Sequence, residues 1–233
     1  MSHAASPPEE SLDEVLRRVD GDRWLSSRFI GDGRARQDVV ALYAYDYELE
    51  RADRVASNPL IAEIRLTWWR EVLDQIFGDE PVRYHPTALA LDRVVKTRNL
   101  PRAPLEAMID RRIEGLGASG MDWDVALLWA GDVGGGCAGL AALCLGGHVD
   151  NPAIVAAGRV WGLLQLRRKG MSPEAAPIRE LMADSRKLSH GLQPSLFPVI
   201  AHLALAGRQF TRKPVSDFEK RIRILAAVAL GRI

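Results

Sequence analysis

The sequence of 233 residues has few cysteines and lacks the short motifs that most often hold zinc. Its two cysteines, Cys137 and Cys144, are seven residues apart, so on a helix they share one face, where geometry disfavours a disulfide. We therefore expect the chain to function in a reducing compartment. The five histidines are scattered, and neither HExxH nor CxxC occurs, so the sequence predicts no zinc site.

An excess of charge of either sign is also lacking. The formal net charge is +1, which excludes a polycation that binds nucleic acid non-specifically, and we expect no nucleic-acid partner. The first residues, MSHAASPPEESLDEV, are polar and acidic and contain no apolar segment of the kind found in signal peptides. We expect a disordered tail over residues 1–11, a capping box formed by Ser11 and Glu14, and a cytoplasmic location.

Strand-like alternation of apolar and polar residues is not evident, whereas helical periodicity runs through most of the chain. The pattern predicts an all-α fold, a single domain over residues 12–233 with roughly eight to ten helices. A long helix is expected over residues 34–56, and the next is expected to begin at Pro59. The apolar stripe of that second helix is expected to contain Leu60, Ile61, Ile64, Trp68, Val72, Leu73 and Ile76.

Residues 125–149 are apolar and have three interpretations. They are long enough to span a bilayer, but Asp132 and seven glycines interrupt them, and no clear pattern of positive charge flanks them. Gly134, Gly136 and Gly139 match the G-x-G-x-x-G spacing of a dinucleotide-binding turn, but no predicted strands surround them. We favour the third interpretation, a buried helix whose small residues let neighbouring helices pack closely.

The stretch LYAYDYELERADRV, residues 42–55, places acidic side chains on the long helix. Asp46 and Glu50 are four residues apart and share a face, where two carboxylates can hold Mg²⁺ against a diphosphate. The same two carboxylates can instead form a ladder of charges with Arg54. Tyr43 and Tyr47 also share a face, and they are candidates for lining a cavity.

Five segments together resemble the squalene/phytoene synthase family: LYAYDYELERAD, NPLIAEIRLTWWREVLDQI, GDVGG, GLLQLRR and LQPSLFPVIAHLALAG. The most specific block, residues 58–76, resembles the branch that includes bacterial synthase-like proteins and a mitochondrial complex I assembly factor. The resemblance implies an isoprenoid synthase-type helical bundle around a central cavity. In active members, two aspartate-rich helices face each other across that cavity. They bind Mg²⁺ and the diphosphates of two prenyl diphosphates, which are joined head to head.

The aspartate-rich motifs of this family are degenerate in the chain. In the first motif, the resemblance places Glu50, Arg51 and Arg54 at the acidic positions. In the second motif, Gln165 is retained, but Arg168 stands where the family has an asparagine, and a basic stretch follows. Arginine does not ligate Mg²⁺ while it is charged, but it binds phosphate directly through a bidentate fork.

Two other segments carry possible binding residues. Arg65 precedes Trp68 and Trp69, and such a cluster is able to hold a diphosphate beside a prenyl chain, although core packing of the tryptophans is the simpler interpretation. Near the C-terminus, Phe218 and Ile222 lie in a basic segment that could rest on an anionic membrane surface or on a partner protein. A location peripheral to the inner membrane is therefore a further expectation.

We expect a non-catalytic member of this fold, which binds an isoprenoid or other lipid or assists assembly of a membrane respiratory complex. The alternative is an active prenyltransferase with Mg²⁺ as cofactor, which condenses two farnesyl or geranylgeranyl diphosphates. The candidate metal ligands are Asp46 and Glu50. The candidate substrate-binding residues are Tyr43, Tyr47, Glu50, Arg54, Arg65, Gln165 and Arg168.

Overall fold

The computed structural model describes residues 10–54, 58–171, 174–210 and 216–233, without the side chains of Asp53 and of residues 208–210. Over these ranges the chain is helical and contains no strand, which confirms the predicted all-α class. The expected tail lies almost wholly outside the described residues. The α-helices are α1 (Leu12–Val19), α2 (Gly21–Ser27), α3 (Gly33–Arg54), α4 (Pro59–Phe77), α5 (Pro86–Arg98), α6 (Arg102–Glu114), α7 (Trp123–Ala130), α8 (Gly136–Cys144), α9 (Pro152–Arg168), α10 (Ala175–Ser189) and α11 (Asp217–Leu230).

Three helical segments that are not α-helices complete the described part of the chain. A π-helical turn, Gly131–Gly135, joins α7 to α8, and two 3₁₀ helices, Pro194–Val199 and Ala201–Phe210, follow α10. The sequence indicates one long helix over residues 174–206, interrupted near Gly191 and Pro194. The structure places that interruption between α10 and the first 3₁₀ helix, because proline cannot continue the hydrogen-bonded ladder of an α-helix.

Several helix ends lie where the sequence predicts them. The Ser11 hydroxyl accepts a hydrogen bond from the Glu14 backbone N–H, and the Glu14 carboxylate accepts one from the Ser11 N–H, so the capping box is confirmed. Asn58 caps α4 by accepting from the Ile61 N–H at 3.0 Å, with Pro59 as the first helical residue. Helix α3 begins one residue before its predicted start, and residues 55 and 56 of the prediction lie outside the described residues.

Helix α4 buries only part of the stripe that its apolar pattern predicts, including Val72, Leu73 and Ile76. Its buried residues are Ala62, Leu66, Trp69, Val72, Leu73 and Ile76. Helices α3 and α6 pack against α4, whereas Leu60 and Ile64 remain 64% and 60% exposed. The prediction that these two residues belong to the core stripe is wrong, because α4 carries apolar side chains around more of its circumference than its neighbours cover.

The apolar segment Trp123–Cys144 forms one continuous helix through α7, the π-turn and α8. It is long and apolar enough to cross a membrane, but 67% of its most apolar window is buried inside the protein. A Cβ atom on Gly134 would lie only 2.2 Å from the carbonyl oxygen of Gly158 on α9, so the two helices cross at glycines. This close approach supports the interpretation of a buried helix built on small residues. Helix α8 packs against both α3 and α9, which together carry most of the predicted site.

Candidate functional site

A buried group of two acids and two arginines, which we name the Asp46 cluster, lies on the inner face of α3. It consists of Asp20, Arg23, Asp46 and Arg112. Asp46 is only 2% exposed, and its two carboxylate oxygens accept from Arg23 Nη2 at 2.7 Å and from Arg112 Nη2 at 2.5 Å. Asp20 in turn binds Arg23 Nε at 2.5 Å. Two negative charges therefore face two positive charges, which compensates the cost of removing them from water.

Several elements position the two arginines. Asp20 caps α2, which places Arg23 in the first turn of that helix. The guanidinium of Arg23 packs over the ring of Tyr43, 4.6 Å from its centroid. Arg112 projects from the last turn of α6, donates to the Met108 carbonyl oxygen at 2.9 Å and lies 5.6 Å from the Trp129 ring centroid. The cluster thus joins α2, α3, α6 and α7.

The surroundings keep Asp46 ionised, and they keep the neighbouring Tyr43 and Cys137 neutral. Burial by itself raises the pKa of Asp46, but the charges and hydrogen bonds of Arg23 and Arg112 outweigh that effect and hold the pKa below its usual value. Burial raises the pKa of the Tyr43 hydroxyl above its usual range and that of the Cys137 thiol to about 12. At neutral pH the tyrosine and the cysteine therefore stay protonated and supply no anionic ligand.

The donor set at Asp46 and Glu50 does not fit Mg²⁺. Both Asp46 oxygens already accept from guanidinium groups, and one Glu50 oxygen lies 3.9 Å from Lys169 Nζ. Among the residues that the structure describes, no group of three acidic, histidine or cysteine side chains is placed to hold a metal ion. Metal binding by this pair stays a prediction, and a cation there would have to displace an arginine. The alternative ladder is also not formed, because the partners of Asp46 lie on α2 and α6.

Basic side chains outnumber acidic ones where α3 and α9 end. We name this group the Glu50 cleft, and its residues are Tyr47, Glu50, Arg54, Arg168 and Lys169. Arg54 packs 5.5 Å from the Tyr47 ring centroid and donates to the Tyr47 hydroxyl at 3.3 Å. Arg168 packs 4.6 Å from the ring centroid of the buried Trp161. Lys169 lies 3.9 Å from Glu50, and Arg54 follows Glu50 by one turn of α3, so the ends of the two helices carry more positive than negative charge. Such a group can bind an anionic ligand by direct contact.

The seven predicted substrate-binding residues fall in separate places. Tyr47, Glu50, Arg54 and Arg168 belong to the Glu50 cleft. Two others are buried: Tyr43 beneath Arg23, and Gln165 on α9 at 9% exposure. Arg65 lies apart from them, on the exposed side of α4 beside Trp68. The structure therefore brings four of the seven together and does not assemble them all on one cavity wall.

Sequence reasoning missed Arg23 and Arg112, although Arg112 carried a signal. Arg112 follows Met108 by four residues and Ile109 by three, so it lies on the apolar face of α6. An arginine on a buried helix face requires a buried acid, and its acid was Asp46. The pairing itself spans 66 residues of sequence, which no local pattern records.

Comparison with known proteins adds two findings. The model of the family described as "Squalene/phytoene synthase" matches residues 16–170, well over half of the chain. The chain is 30% identical over 103 residues to "NADH dehydrogenase (ubiquinone) complex I, assembly factor 6" of Homo sapiens and of Bos taurus, and 28% identical to that of Mus musculus. Each match covers 44% of this chain but only 30% of the relative, so the similar stretch spans less than a third of each relative.

Proposed function

Because the chain belongs to the squalene/phytoene synthase family, we propose that it is a non-catalytic member that assists assembly of a membrane-bound respiratory complex. The relatives named as complex I assembly factors support the assembly role. The geometry around Asp46 and Glu50 supports the loss of catalysis. A location peripheral to the inner membrane is part of the proposal, because a membrane-bound respiratory complex is assembled there.

The observation that carries this proposal is the neutralisation of the remaining acids by basic side chains. Asp46 is held between Arg23 and Arg112, and Glu50 faces Lys169 from the end of α9. Departure of diphosphate from a prenyl chain leaves a strongly charged leaving group, which needs metal ions or comparable charge stabilisation. With these acids paired to arginine and lysine, the chain offers no oxygen cage for such ions within its described part.

A lipid-binding role is the second part of the proposal, and the Glu50 cleft favours it. Arg54, Arg168 and Lys169 are suited to a phosphate or diphosphate group without a metal, because charged donors bind phosphate oxygens directly. Direct contact favours holding an isoprenoid phosphate over ionising it. The lipid would then be a ligand of an assembly protein and not the substrate of an enzyme.

The enzymatic half is tested by incubating the purified chain with farnesyl or geranylgeranyl diphosphate, Mg²⁺ and NADPH. An active synthase of the same family serves as the positive control. We expect no head-to-head product above the level of a boiled sample. Product that disappears in the Glu50→Ala variant would refute the non-catalytic proposal.

The assembly half is tested in the source organism by deleting the gene and measuring assembled complex I on native gels. We expect the fully assembled complex to fall while its unassembled subunits persist. Wild type and the Glu50→Gln variant should both restore assembly, since the proposed role needs no carboxylate chemistry. Unchanged complex I in the deletion strain would contradict the assembly role.

A further inference from the structure

Two surface grooves meet at Trp68 on the outer side of α4. The first has a volume of about 320 Å³ and lies between α3 and α4, with Arg51, Arg65, Trp69 and His85 on its walls. The second has a volume of about 370 Å³ and lies along α4 beside Leu60 and Ile64. Trp68 lines both grooves, so they adjoin at its side chain, and we name the pair the trough. None of the Asp46 cluster or the Glu50 cleft lines either groove.

The first groove has a rigid aromatic wall. Trp68 packs edge to face on Trp69 with ring centroids 5.0 Å apart, and the His85 ring packs against them at 5.7 and 5.3 Å. Trp69 is anchored from behind by Tyr45, whose hydroxyl donates to the Leu105 carbonyl oxygen at 3.0 Å. Trp69 is 4% exposed, whereas Trp68 is half-buried. The Trp68 ring is therefore supported by its neighbours and still accessible to a ligand.

One cation on this groove has no acid to balance it. Arg51 binds Glu48 at 3.2 Å, so those two charges cancel locally. The Arg65 side chain forms no ion pair or hydrogen bond with any residue that the structure describes. The next exposed arginine on the same helix, Arg70, is bound to Asp110 at 2.5 Å. Arg65 is therefore the charge at this groove that is available to an anionic ligand.

The second groove is lined by apolar and acidic side chains. Leu60 and Ile64 present large aliphatic side chains to solvent, which is costly unless something covers them. Glu63 and Glu71 line the same groove, and Glu71 is bound to Arg83 at 2.6 Å. The Glu63 carboxylate forms no ion pair with any described residue, and it disfavours an anionic membrane surface lying flat on α4, because headgroup phosphates would face it. A single headgroup at Arg65 avoids that repulsion.

We propose that the trough binds an anionic single-chain amphiphile. The headgroup pairs with Arg65, the chain crosses the ring of Trp68, and its far end covers Ile64 and Leu60. The volumes of the grooves are in the range of small-ligand sites. This inference rests on the proposed function in one respect: the protein binds the ligand and does not convert it to a product. It gives the lipid a second site, outside the Glu50 cleft.

The test uses the purified full chain and farnesyl phosphate below its aggregation concentration, with binding measured by calorimetry and tryptophan fluorescence. Farnesol and inorganic phosphate separate the contributions of the chain and the headgroup. Vesicles of phosphatidylglycerol test whether the anion is recognised only in a bilayer. The variants are Arg65→Gln and the double variant Leu60→Ser with Ile64→Ser, and Arg70→Gln is the matched control.

We expect farnesyl phosphate to bind about tenfold or more tightly than farnesol, because a hydrogen bond to a charged group contributes that much to affinity. Arg65→Gln should remove this preference without weakening farnesol, and the double variant should weaken both ligands. Arg70→Gln should bind like wild type, and inorganic phosphate should not compete at the concentration that saturates farnesyl phosphate.

Unchanged affinity in Arg65→Gln would overturn the proposal, as would competition by inorganic phosphate alone. Binding confined to vesicles would also overturn it and would point to a membrane surface. If the variant Arg54→Gln with Arg168→Gln abolishes all binding, the Glu50 cleft is the lipid site and the trough is not. None of these results depends on product formation or on complex I, so failure of the trough is distinguishable from failure of the proposed function.

Discussion

Replacement of Asp46 by asparagine tests whether the acid at the centre of the predicted metal site has become a structural charge. The variant leaves Arg23 with Asp20, but it leaves Arg112 with only the Met108 carbonyl and the Trp129 ring. Removal of one partner from a buried ion pair costs about 3–5 kcal/mol, because the remaining charge stays buried without compensation. For a chain of this length we expect the midpoint of thermal unfolding to fall by about 6–20 °C.

The assay is urea denaturation at pH 7, followed by the helical signal in circular dichroism. Asp184→Asn is the control, since Asp184 and Lys187 form an exposed pair that should contribute about 1 kcal/mol or less. The double variant Asp46→Leu with Arg112→Met should be less destabilised than Asp46→Asn alone, because no charge is left unpaired at α6. A loss below about 1 kcal/mol in Asp46→Asn would refute the argument that this carboxylate compensates buried charge.

The pH dependence of the same variant gives an independent check. The charges and hydrogen bonds of Arg23 and Arg112 hold the pKa of Asp46 in the folded state below its usual value near 3.8. Its contribution to stability is therefore complete above that value and is lost as the pH falls through the lower, folded pKa. We expect the difference in unfolding free energy between wild type and Asp46→Asn to be constant near neutral pH and to shrink below about pH 4. A difference that grows on acidification contradicts the assignment.

Three further predictions follow from other buried groups. Gly134→Ala places a methyl group 2.2 Å from the Gly158 carbonyl oxygen and should lower soluble yield and the unfolding midpoint, whereas Gly191→Ala, which meets nothing within 4 Å, should not. Burial lowers the pKa of His202 to about 3, whereas in the unfolded chain this histidine takes up a proton as the pH falls through 6.5. The unfolding free energy should therefore fall by about 2 kcal/mol between pH 7 and pH 5, and His202→Phe should remove that fall. The Cys137 thiol, with a pKa of about 12, should resist alkylation at pH 8 until urea unfolds the chain; rapid native labelling would contradict its burial.

The predicted and the observed site differ most in the partners of its charges. The sequence places Asp46 and Glu50 on one helix face, and in the structure Asp46 is buried and Glu50 lies near Lys169 at the end of α9. The periodicity along α3 does not show which basic side chains of other helices approach that face. Arg112 comes from 66 residues away, and its approach depends on how α6 crosses α3. Ion pairs of this kind are products of packing, so spacing alone suggested a metal site.

The amino-acid sequence alone determined the all-helical class, the capped ends of α1 and α4, and the basic character of the end of α9. Each depends on residues within a few positions of one another, such as Ser11 with Glu14. Tertiary structure alone decided that Asp46 is neutralised by arginines, and that α4 turns Leu60 and Ile64 outward while burying Trp69. A helix with apolar residues on more than one side can be packed in more than one orientation, and only its neighbours select the face that is buried.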